Sequence, residues 1–110
     1  MALIAAQYPL ITGKTLTFAS ASGGGDTLAP TPTSVLHVKN GSGSSINVTV
    51  VVPGNDDFGQ ARPDIVRAVP AGEHHIIGPL SSPLLLNGSG VIDITYSSVT
   101  SVTVAHHTTG

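Results

Sequence analysis

The sequence predicts an all-β protein: a small antiparallel β-sandwich, Ig-like or jelly-roll-like, with an extended N-terminal arm. Three observations point there. Apolar and polar residues alternate with a period of two in several short segments after Ser34. Gly, Pro, Asn and Ser clusters separate those segments, and no stretch sustains helical spacing.

Along the chain, "ALIAAQY" is long enough for one helical turn and too short to hold it alone. "LITGKTLTFAS" reads as one strand with Leu16 and Phe18 on one face. "SASGGGDTLAPTPTS" joins three glycines to Pro30 and Pro32, a mixture expected to form no regular element. Residues 1–33 are therefore expected to be an arm, hinged at Gly23 to Gly25, that completes its own sheet or lies on a neighbouring subunit. Residues 34–110 are expected to form the sandwich domain, which should stay folded when residues 1 to about 22 are removed.

Within that domain, Val35 to Gly54 reads as a hairpin. Leu36 and Val38 share a face on its first strand; Ile46, Val48, Val50 and Val52 share a face on its second; Asn40 to Ser45 joins them. A strand through Ile65, Arg67 and Val69 turns at Pro70-Ala71-Gly72 and resumes through His74 to Ile77, where Gly78-Pro79 stops it. Val91 to Tyr96 and Ser101 to His106 close the chain as a pair of strands, with Tyr96 on the same face as Ile92 and Ile94.

Composition bounds the function. With 110 residues the chain is one domain, able to bury roughly 65% of its unfolded surface. There is no cysteine, which excludes disulfides and thiolate chemistry. Charged residues make up 9%, against about 25% in a typical domain. Much of the monomer surface is then expected to be covered by a partner, the alternative being solvation by Ser and Thr. Lys14, Lys39, Arg62 and Arg67 are the only basic residues and the net charge is -2, so no basic footprint for nucleic acid exists. "MALIAAQYPLI" is neither a signal peptide nor a membrane span, so synthesis in a cytoplasm and no membrane partner are expected.

Five histidines, His37, His74, His75, His106 and His107, are the residues closest to chemistry. Neighbours on a strand face opposite ways, so neither adjacent pair serves one metal without a bulge; three from three strands remain able to converge. No carboxylate pattern surrounds them, and they read as surface or interface residues. No nucleophile elbow, phosphate loop or calcium-loop spacing is present, and Asp56-Asp57 reads as a solvated loop. The expectation is a non-enzymatic chain with no catalytic residue, no metal site and no cofactor.

The succession "VLHVKNGSGSSINVTVVVPG", "VPAGEHHIIGPL" and "GVIDITYSSVTSVTVAHH" resembles a family of small β-rich proteins of tailed bacteriophages, encoded beside the major capsid protein and taken to be capsid decoration, or cement, proteins. The similarity covers roughly residues 34 to 106; its strongest pieces are the turn at 69 to 72, the stop at 77 to 79 and the closing strands. The resemblance implies a sandwich on the outer surface of an assembled head, often a homotrimer, that staples neighbouring copies of the major capsid protein. The arm lies outside it. On that reading Leu3, Ile4, Tyr8, Leu10 and Ile11, the apolar residues of the arm, are the expected capsid contacts. The alternative function is a receptor- or carbohydrate-binding sandwich module of a phage tail or fibre, for which "NDDF" at 55 to 58 is the one trace of a binding loop.

Overall fold

A computed structural model describes residues 2–8, 11–13, 15–30, 33–80 and 85–108. They form ten strands and no α-helix: β1 (Ala2–Leu3), β2 (Ala6–Gln7), β3 (Ala19–Ser20), β4 (Asp26–Leu28), β5 (Val35–Asn40), β6 (Ile46–Val50), β7 (Ile65–Val69), β8 (His74–Ile77), β9 (Ile92–Tyr96) and β10 (Val102–His107). One sheet has the order β1-β4-β9-β6-β7 and the other β2-β10-β5-β8, with β3 also against β10. The chain is a small, antiparallel-rich β-sandwich.

Three antiparallel pairs nest about the β6–β7 connection: β6 with β7, β5 with β8, and β4 with β9. Such nesting is a ribbon rolled across two sheets, the jelly-roll plan, to which β10 is added beside β5. The alternation seen in sequence becomes the core. Leu36 and Val38, Ile46, Val48 and Val50, Ile92 and Ile94, and Val102 and Val104 all point between the sheets and are buried. Each such side chain contributes about 1.5–3 kcal/mol through burial.

Strand positions follow the sequence reading, but pairings do not. Val35–Gly54 is not a hairpin: β5 and β6 lie in different sheets, and so do the closing strands β9 and β10. Each joint is an arch that carries the chain across the core. Period-two alternation is the same for a strand that folds back in its own sheet and for one that crosses, so it cannot distinguish them. At the first arch the deciding residue is Asn40, buried to 1% exposure. Its Nδ2 donates to the carbonyls of Ser44 at 2.8 Å and Val69 at 2.9 Å, while its Oδ1 accepts from the Ser42 amide at 3.0 Å and hydroxyl at 2.6 Å.

The segment 1–33 supplies four strands to these sheets. "ALIAAQY" is extended, not helical: β1 lies parallel to β4, β2 lies parallel to β10, and buried Ile4 plugs the seam where the chain passes from one sheet to the other. Among the described residues of "LITGKTLTFAS", only Ala19–Ser20 is strand, antiparallel to Val104 and Thr103. Asp26–Leu28, inside the stretch expected to be irregular, lies between β1 and β9 with Asp26 and Leu28 buried. Gly25 makes that entrance possible: its φ is +95°, and a Cβ there would sit 2.7 Å from the Ile94 carbonyl.

Candidate functional site

The N-terminal segment sits along one flank of the sandwich, and the expected contact residues divide there. Leu3 on β1 is 62% exposed, Tyr8 50%, and Ile11 fully exposed, whereas Ile4 is buried at 8% and serves the fold. Leu10 lies outside the described residues. Leu3 and Ile4 line a groove of about 390 Å³ together with Gln7, Thr17, Ala19 and Val104 among others. Val104 is the contribution of β10, whose edge β3 covers at Thr103 and Val104 and β2 covers at His106 and His107. The Gln7 side chain joins the two coverings: its Nε2 donates to the Thr17 carbonyl at 2.7 Å and its Oε1 accepts from the Thr17 amide at 2.8 Å.

The histidines separate by strand parity. His74 and His75 face opposite ways, and so do His106 and His107. His75 approaches the Glu73 carboxylate at 3.2 Å. His106 is enclosed between the sheets, its Nε2 2.8 Å from the Ser34 hydroxyl and its Nδ1 3.4 Å from the Ile4 carbonyl. Burial holds His106 below the ordinary imidazole pKa; the Ile4 carbonyl opposes that effect and His107 adds to it.

On the outer face of the second sheet the remaining three meet. His37 on the central strand β5 has ring centres of His74 on β8 at 5.7 Å and His107 on β10 at 5.9 Å. Phe18, from the segment leading into β3, packs edge-on against His37 at 4.9 Å, and the Lys39 ammonium lies 4.1 Å from the Phe18 ring centre. Among the described residues neither ring nitrogen of His37 has a hydrogen-bond partner, and neither has Nε2 of His107. The His37 pKa is lowered by burial first, then by His107, His74 and Lys39. Among the described residues no group of three or more histidines and carboxylates is arranged to hold a metal. The arrangement is suited instead to respond to a proton. In the sequence the only signal for it is the matching outward parity of His37, His74 and His107; their pairing across three strands is a tertiary fact.

A third feature is the loop between β6 and β7. Asp56 Oδ1 accepts from the amides of Phe58 at 2.9 Å and Gln60 at 3.0 Å, and an Asn55–Ala61 bridge closes the base. That scaffold presents Phe58 at 89% exposure.

Compared with known protein families, curated proteins and solved structures, the chain gives no match.

Proposed function

We propose that this chain is a structural virion protein that decorates an assembled phage head, binding the major capsid protein on its outer surface and acting as a homotrimer. The observation that carries the reading is the exposure of three apolar side chains of one N-terminal segment, Leu3, Tyr8 and Ile11, with Leu3 lining an apolar groove. Exposed apolar groups of this kind are stable in water when a partner covers them. The low charged fraction of 9% and the resemblance over residues 34 to 106 support the same reading. A ligand of the assembled shell alone stabilises it by mass action over many copies, with no reacting group. The test is binding of purified protein to expanded capsids that lack it. Saturable binding and a raised capsid melting temperature are expected; no binding overturns the proposal.

Phe58 favours a second reading, a carbohydrate-binding module. An exposed ring beside Asp56 and Asp57 offers a stacking surface next to hydrogen-bond acceptors. Glycan-array binding abolished by Phe58→Ala would select it over the first.

A further inference from the structure

Residues 15–20 run along the β10 edge of the β2-β10-β5-β8 sheet, with the Phe18 side chain laid against its outer face, and they are fastened by the Gln7 side chain on the Thr17 backbone, the two-residue pairing of β3, and Phe18 between His37 and Lys39. Beneath Phe18 the sheet is not apolar. It carries an imidazole whose two enclosed nitrogens have no partner among the described residues, so a neutral ring leaves its one N–H unsatisfied. Such a group is a stored tendency to open.

We propose that residues 15–20 are a pH-sensitive strap, closed over the histidine cluster while its imidazoles are neutral and lifted from the sheet when His37 is protonated. An imidazolium at His37 has two donors and no acceptor within the closed cluster. The groups that face it are His74 from β8, His107 from β10 and Lys39 from its own strand, with the Phe18 ring from the strap. None of these neighbours is a carboxylate, and the Glu73 carboxylate is engaged with His75. Phe18 offers little compensation as a cation acceptor because Lys39 already occupies it.

Lifting the strap gives His37 to water and separates Lys39 from the ring. Closure lowers the His37 pKa and opening returns it toward 6.5, so the open state binds the proton more tightly. Opening therefore grows as the pH falls below 6.5. It also bares the β10 edge at Thr103 and Val104, where another strand can pair. This inference does not depend on the capsid reading.

The experiment is hydrogen–deuterium exchange on the unmodified full chain from about pH 7.5 to about pH 5, the range in which histidine titrates, with rates corrected for intrinsic pH dependence. Protection of residues 15–21 is expected to be lost at a higher pH, and to a greater extent, than that of β6 and β9. His37→Leu is expected to flatten the profile. Side-chain NMR of the unmodified protein should show His37 titrating below 6.5 together with strap opening. Unchanged strap protection, loss shared equally by β6 and β9, or the same pH profile in His37→Leu overturns the proposal.

Discussion

The side-chain amide of Asn40 donates to the backbone carbonyl of Val69 at 2.9 Å, joining the end of β5 in one sheet to the end of β7 in the other. The Asn40 backbone also holds the turn that leads into β8, since its amide donates to the Glu73 carbonyl at 3.0 Å and its carbonyl accepts from the Gly72 amide at 2.8 Å. Two arches, Gly41–Ser45 and Pro70–Glu73, thus meet on one buried side chain.

Replacing Asn40 is expected to be the most damaging polar substitution outside the apolar core. In Asn40→Asp the two donated bonds are lost and a carboxylate faces the carbonyls of Ser44 and Val69. A loss of about 3 kcal/mol or more is expected, read from the urea unfolding midpoint. Asn40→Leu also removes the side-chain partner of the Ser42 amide and of the Val69 carbonyl, while the Ser44 carbonyl keeps the Ser42 hydroxyl at 2.9 Å, and should cost a similar amount.

Tyr96 donates its hydroxyl to Asp26 Oδ2 at 2.8 Å, and Asp26 Oδ2 also accepts from the Ser22 amide at 3.2 Å. The pair anchors β4, and with it the turn that brings the N-terminal segment home. Tyr96→Phe is expected to lower stability by about 1–2 kcal/mol in thermal or urea unfolding. Burial, reinforced by the Asp26 carboxylate, pushes the Tyr96 pKa well above its ordinary 10.0. Below pH 10.0 the phenol is neutral in both states and its contribution is complete; above that the unfolded chain ionises first and stability falls. Ultraviolet titration should show Tyr96 resisting ionisation until the fold is lost.

Acid sensitivity should come from the imidazoles. His37 and His106 both have lowered pKa values in the folded chain, so below 6.5 the unfolded chain binds protons that the folded chain resists. Stability is full above 6.5 and declines as the pH falls toward the folded-state values. Urea unfolding of His106→Gln measured across this range should show a shallower decline than the unmodified protein, because one of the two proton-linked sites is gone.

Removing residues 1 to 22 does not isolate the contact surface, although the sequence suggests that it does. Those residues include β1, β2 and β3, buried Ile4 and Ala21, and the covering of both sheet edges at β4 and β10. The truncated chain is expected to melt lower and to aggregate through its open edges, as differential scanning fluorimetry and light scattering would show. Leu3→Ser, Tyr8→Ser and Ile11→Ser act at exposed positions and should each change stability by about 0.5 kcal/mol or less. If the capsid reading holds, the triple variant weakens capsid binding with its fold intact.

The candidate surface was legible only in part. Leu3, Tyr8 and Ile11 could be chosen from apolarity within a segment that lacks a core pattern, and they are exposed. Ile4 shares their chemistry but falls at the crossing between sheets, which nothing in "ALIAAQY" marks. Likewise Asp26 and Leu28 follow three glycines and precede two prolines, so their local context reads as loop. Their place as a strand comes from Ile94 and Ile92 across the sheet.

By itself the sequence determined which residues extend and which face the core, because side chains on a strand alternate and water excludes the apolar set wherever the strand lies. Val35–Asn40, Ile46–Val50, Ile65–Val69, His74–Ile77, Ile92–Tyr96 and Val102–His107 follow from that alone to within a residue or two. Which strand lies beside which is a different matter. A hairpin and an arch bury the same alternating face, and the choice rests on long-range partners such as Asn40 and Val69, separated by 29 residues. The histidine cluster is decided the same way: His37, His74 and His107 come together only because β8 and β10 flank β5, and the ribbon's rolling, not local spacing, puts them there.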